Sequence, residues 1–239
     1  MQWKEKLIIA LDVSDAQQAI DIVDRLGDDA AVFKVGFELF VSAGPGIVEK
    51  IQGRGKKVFL DLKFHDIPNT VSKAALAAAR LGVYMFNVHA SGGLTMMKKC
   101  KDAVVELCLK ENLQRPKIIG VTALTSLDTE ILKNELGVQH SLKTHVKHLA
   151  LLALKAGLDG VVASPHETSM IKQHCGDDFL VVTPGIRPSW VPPDDQRRTA
   201  TPKEALRQGA DYIVMGRGIL THEDPIKALE LISLEILTA

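Results

Sequence analysis

VFLDLKFHDIPNTV, residues 58–71, is the stretch whose reading decides the fold. Val58, Phe59, Leu60 and Leu62 read as a buried strand, and Pro68 sits where the first turn of a helix would follow. Between the two lie Asp61, Lys63 and Asp66. A buried strand that passes into a helix, with charges crowded at the junction, is one βα unit whose strand end carries more than packing.

Working outward, seven similar runs appear: LIIALD (7–12), AVFKVG (31–36), VYMFNV (83–88), PKIIGVT (116–122), GVVAS (160–164), FLVVTPG (179–185) and DYIVMG (211–216). With KVFLDL (57–62) they make eight predicted strands. Helical patterns separate them. The first starts SDAQ, where Ser14 and Gln17 suit a capping box, keeps Ala16, Ala19, Ile20, Val23 and Leu26 on one face, and stops at Gly27. Thr201, Pro202 and Glu204 mark another helix start, as do Asp224 and Pro225.

Eight strand and helix pairs in 239 residues predict a single closed (β/α)₈ TIM barrel spanning residues 1–239. The alternative, a doubly wound open sheet, would run a strand into G-x-G-x-x-G, and no strand here does so. The longest irregular segment, at about residues 183–200, carries Pro184, Pro188, Pro192 and Pro193 after the seventh strand and reads as a loop that closes over a site.

Composition narrows the classes of function. Lys plus Arg and Asp plus Glu both number 29, so no broad basic surface exists for nucleic acid, and any anion site must be local. The apolar run at 7–11 is too short for a signal peptide or a membrane span, which makes a cytoplasmic protein the expectation. Cys100, Cys108 and Cys175 suit neither a disulfide framework nor metal spacing, and the histidines form no metal-ligand pattern.

In a barrel of this kind, chemistry collects at the C-terminal strand ends. There lie Asp12, Lys34, Asp61, Lys63, Asn87, His89, Thr122, Thr125, Arg187 and Arg217. A side-chain period of two sends Asp61 and Lys63 to the same side, toward the barrel axis if Leu60 and Leu62 face the helices. Asp66, in the loop beyond, is placed to swing over the site or to meet a neighbouring subunit. An ammonium among carboxylates stays charged, as do its neighbours. A purely structural network tying strands two and three would look the same locally. TPGIRP and MGRGI, after strands seven and eight, favour a site: their glycines admit an anion closely, and Arg187 and Arg217 suit a phosphate.

DLKFHDIPNT (61–70), ALDV (10–13), FKVG (33–36), VTALTS (121–126), TPGIRP (183–188), DDQRRTATP (194–202) and VMGRGI (214–219) together resemble the bacterial type of the orotidine 5'-phosphate decarboxylase family. The resemblance covers the chain in the family's order. It implies a carboxy-lyase that turns orotidine 5'-monophosphate into UMP without metal or organic cofactor, as the last step of de novo pyrimidine synthesis. It also implies a homodimer of barrels. By resemblance Lys63 donates the proton to C6, flanked by Asp61 and by Asp66 of the other subunit, with Lys34 completing the array. Asp12 and Lys34 would hold the ribose, Thr70 would reach across from the partner, and Thr125 would meet the pyrimidine. Arg187, Gln196, Gly216 and Arg217 would bind the phosphate. Two rivals remain: a metal-dependent sister, hexulose-phosphate synthase or 3-keto-gulonate-phosphate decarboxylase, which carries a metal-binding Glu where Lys34 stands; and a non-catalytic nucleotide-binding barrel.

Overall fold

The computed structural model describes residues 3–191 and 199–237. Eight parallel strands follow one another around a closed barrel. They are β1 (Leu7–Ala10), β2 (Val32–Gly36), β3 (Lys57–Phe64), β4 (Met85–His89), β5 (Lys117–Val121), β6 (Gly160–Val162), β7 (Leu180–Thr183) and β8 (Tyr212–Met215). Closure comes from β8 pairing β1, with Val214 opposite Ile8. Each expected strand is present, and most are shorter than their apolar runs.

The outer layer comprises α1 (Ala16–Leu26), α2 (Phe37–Ala43), α3 (Gly46–Gln52), α4 (Pro68–Arg80), α5 (Gly93–Glu111), α6 (Thr129–Asn134), α7 (Leu142–Lys155), α8 (Pro165–Cys175), α9 (Pro202–Arg207), α10 (Arg217–Leu220) and α11 (Pro225–Leu237). Local signals set most of their ends. Thr201 and Glu204 form a reciprocal capping box on α9, and Pro68 occupies the first turn of α4. The expected Ser14 cap is displaced by one residue: Asp15 is the N-cap of α1 and its carboxylate accepts the Gln18 N–H. Among the described residues no helix is long and apolar enough to cross a membrane.

Alternation along the strands builds two cores. Leu7, Ile9, Phe33, Val35, Val58, Leu60, Phe86 and Val88 face the helices. Ile8, Ala10, Val32, Phe59, Met85, Ile119, Val182 and Val214 fill the barrel. One further strand period beyond this inner plug lie Asp12, Lys34, Asp61, Asn87, Pro184 and Gly216, gathered at the C-terminal mouth. At the other end the Tyr84 and Tyr212 hydroxyls meet at 2.6 Å.

One strand departs from the regular pattern. Leu60 pairs with Phe86 and Phe64 with Val88, so β3 advances four residues while β4 advances two. Lys63 lies in this bulge with a left-handed φ of 42°. The expectation that Lys63 reaches the mouth by simple alternation is therefore corrected: the bulge carries it there.

Glycine is required where β6 meets β7. A Cβ on Gly160 would lie 2.6 Å from the Leu180 Cβ and would overlap the Leu180 carbonyl. Gly160→Ala must force the strands apart, and we expect it to lower stability by about 1–3 kcal/mol in urea unfolding. An unchanged midpoint would contradict this close packing.

Candidate active site

Asp12, Lys34, Asp61 and Lys63 alternate in sign around one side of the mouth. The Lys34 ammonium lies 2.9 Å from Asp12 Oδ1 and 3.5 Å from Asp61 Oδ2. Asp61 Oδ1 accepts the Lys63 Nζ–H at 2.7 Å. Side-chain exposures of 11% for Lys34, 13% for Asp61 and 26% for Lys63 place this array largely out of water, whereas Asp12, at 58%, faces it. Gly36 makes room for the first amine, since a Cβ there would come within 3.0 Å of Lys34 Nζ.

Burial alone would raise the Asp61 carboxyl. The Lys34 and Lys63 ammoniums, with hydrogen bonds from Lys63 and Asn87, outweigh it and hold Asp61 below its ordinary value. Its carboxylate is thus the anion shared by both amines. Burial lowers the His89 imidazole, beyond Asn87 on β4, below its ordinary value, helped by His65 and Lys63. Its ring packs against that of His65, tilted by 35° with centroids 5.2 Å apart.

Two cavities meet at this array. One, of about 380 Å³, is lined by Asp12, Lys34, Gly185, Arg187, Gly216 and Arg217. The other, of about 420 Å³, has Lys34, Asp61, Lys63 and Thr125 on its polar side and Phe37, Val121 and Val162 on its apolar side. Lys34, Pro184 and Val214 border both. A chamber lined by two arginines thus adjoins a half-apolar one that an ammonium borders, a pairing suited to a ligand with an anion at one end and a less polar body at the other. The loop between β7 and α9 is pinned at its neck, where Arg187 N–H donates to the Ala200 carbonyl and Ala200 N–H to that of Gly185.

Of the residues expected in the site, Asp12, Lys34, Asp61, Lys63, Thr125, Arg187, Gly216 and Arg217 converge on these cavities. Asp66 and Thr70 do not line them; both are exposed, and Asp66 accepts the N–H of Ile67. Gln196 lies outside the described residues. Thr122 is structural, buried and bonded to the Val162 carbonyl. Sequence reading missed Phe37, whose ring lies 5.5 Å from Lys63 Nζ, and the part played by Asn87. The position of Asn87 one strand period beyond Met85 was the available signal.

Because the folded-state value of Asp61 is depressed, the stability it contributes is present above the unfolded carboxylate value of about 4 and is lost as pH falls through the lowered folded value. Asp61→Asn leaves two ammoniums without their shared anion and should cost about 3 kcal/mol near pH 7. Thermal melts of both proteins should show that gap closing only below about pH 4. A gap that closed at neutral pH, or persisted undiminished through strong acid, would contradict the charge assignment.

Comparison with known proteins places this geometry in a family. A family model described as Orotidine 5'-phosphate decarboxylase / HUMPS family matches residues 5–232. A protein of Moorella thermoacetica named orotidine 5'-phosphate decarboxylase is 51% identical over 236 residues, covering 99% of this chain and 94% of that protein. One of the same name from Syntrophotalea carbinolica is 50% identical over 239 residues, covering 100% and 98%. The crystal structure of orotidine 5'-phosphate decarboxylase from Lactobacillus acidophilus matches with a TM-score of 0.85 at 41% identity, covering 97% of this chain and 99% of that one. With the match running through the whole barrel and both cavities, the chain belongs to the orotidine 5'-phosphate decarboxylase / HUMPS family.

Proposed function

We propose that this chain converts orotidine 5'-monophosphate into UMP and CO₂, the last step of de novo pyrimidine synthesis, using no metal or organic cofactor. The observation that carries the reading is the Lys63 ammonium, held at 2.7 Å by Asp61 at the end of the half-apolar cavity that adjoins the arginine-lined one. With the phosphate between Arg187 and Arg217 and the ribose against Asp12 and Lys34, the pyrimidine fills the second cavity beside Thr125. The reacting carbon then faces Lys63. The resemblance adds Gln196 to the phosphate grip and has the loop at 183–200 close over it.

The bond from C6 to the carboxyl group breaks, its electron pair stays on C6, and neutral CO₂ leaves. A fixed ammonium stabilises the developing carbanion without reorganising. Lys63 Nζ then passes its proton to C6 and regains one from solvent. Asp61 orients that amine, and its charge opposes the substrate carboxylate until the carboxylate becomes CO₂. Binding energy from the distant phosphate positions the ring for this step.

Asp66 and Thr70 belong, in this reading, to the site of a second copy in a homodimer. Their exposure and their absence from the lining of this chain's own cavities support that assignment, as does the exposed apolar Ile67 next to Asp66, at 66%. The enzyme acts in the cytoplasm on a small-molecule substrate, with neither nucleic acid nor membrane as partner. Lys34 argues against the metal-dependent sister, because an ammonium occupies the position where that sister needs a carboxylate.

Lys63→Ala should lower kcat about 10⁴-fold or more while UMP still binds, measured by the absorbance change of orotidine 5'-monophosphate and by calorimetry. Near-normal turnover in that variant would overturn the assignment, and loss of wild-type activity in EDTA would favour the metal-dependent sister. Arg217→Ala should weaken UMP binding by about 10-fold to 100-fold in the same calorimetry, the loss of one charge-assisted hydrogen bond. Unchanged affinity would move the phosphate elsewhere.

A further inference from the structure

The bulge in β3 sets Asp61, Leu62 and Lys63 against a single residue of β4, Asn87. A bulge leaves backbone groups without ladder partners, and Lys63 is one of only two non-glycine residues with positive φ among those described. Its N–H therefore needs an acceptor from outside the sheet, and its left-handed backbone needs a restraint.

Asn87 supplies both. Its side chain is buried, at 1% exposure. Oδ1 accepts the Lys63 N–H at 2.7 Å, and Nδ2 donates to Asp61 Oδ1 at 2.7 Å. The two neighbours determine which way the amide lies, since an N–H demands the oxygen and a carboxylate demands the NH₂. One planar group thus holds the backbone of Lys63 and the side chain of Asp61 at once. The same Asp61 oxygen accepts the Lys63 amine, so backbone, amide, carboxylate and ammonium form a closed ring of contacts. Asn87 is not among the residues lining either cavity.

We propose that Asn87 is the positioning residue that sets where the Lys63 ammonium points, by clamping the β3 bulge and the Asp61 carboxylate with opposite ends of one amide. It acts through Lys63 and Asp61 and does not touch the substrate. The inference rests on the reading of Lys63 as proton donor to the pyrimidine.

Two variants test it. Asn87→Leu has similar volume and removes both hydrogen bonds. Asn87→Asp keeps an acceptor for the Lys63 N–H but, when ionised, sets a second anion against Asp61. When protonated, that new carboxyl can again donate to Asp61 and accept from Lys63, restoring the native pattern. The charged groups facing position 87 are Asp61 and Lys63 on β3, with Lys34 beyond on β2 and His89 nearby on β4.

We expect Asn87→Leu to lower kcat about 10²-fold or more, the consequence of misplacing a reacting group by about 1 Å, while KM and the calorimetric UMP affinity change less than about threefold. Asn87→Asp should be similarly slow near neutral pH and recover relative to wild type as pH falls, whereas Asn87→Leu should not recover. The isosteric Asp variant keeps the test open if the Leu variant fails to fold. Wild-type kcat in Asn87→Leu, equal losses in kcat and UMP affinity, or parallel pH profiles of wild type and Asn87→Asp would each overturn the role of Asn87. Wild type and Lys63→Ala, assayed alongside, keep the failures apart: a wild type that releases no CO₂, or a fully active Lys63→Ala, overturns the reading of function instead.

Discussion

The Asp61 carboxylate is the constraint on which the rest of the site depends. It lies between two ammonium groups, 2.7 Å from Lys63 and 3.5 Å from Lys34, at the rim of an apolar barrel core. Two cations at such a rim would repel each other and lose hydration without a nearby anion. With Asp61 between them the two amines share one anion, and their charges hold its carboxyl below the ordinary value. Asp12 extends the alternation toward solvent through Lys34.

This arrangement depends on barrel geometry as well as on composition. Strand alternation fills the interior with Ile8, Val32, Phe59 and Val214 and then delivers polar residues one period later, where the barrel opens. The same inward rows therefore end the apolar plug and begin the site. Neighbouring registers bring Lys34 and Asp61 together: Gly36 pairs with Asp61 across β2 and β3, so the lysine two residues earlier lies within reach. The loop after β7 and the start of α10 after β8 contribute Arg187 and Arg217 to the first cavity, whereas Lys63 lines the second, with Lys34 bordering both. Such separation lets a remote group supply binding energy to a step that happens elsewhere.

Legibility followed the range of the interaction concerned. The strands, most helix starts and the charged strand ends were readable because propensity, capping and periodicity act within a few residues. The cap of α1 was misread by one position, because Ser14 and Asp15 are both good caps and only the backbone geometry of Asp15 selects between them. The β3 bulge was not readable: an unbroken alternation places Asp61 and Lys63 on one side as well, and nothing local in DLKF announces the left-handed φ of Lys63. Asn87 stood in the sequence as another polar strand end, without its partners.

By itself the sequence determined an eight-stranded α/β barrel, the end at which its polar residues gather, and the residue types available there, since each of these follows from short-range pattern and from the direction of the chain. Only the tertiary structure decided which of those residues touch, that Lys34 borders both cavities, that Asp66 and Thr70 stay exposed and outside the lining of both, and that one buried amide spans the bulge. Those facts depend on register between strands far apart in the chain, and register is set by how the whole barrel closes.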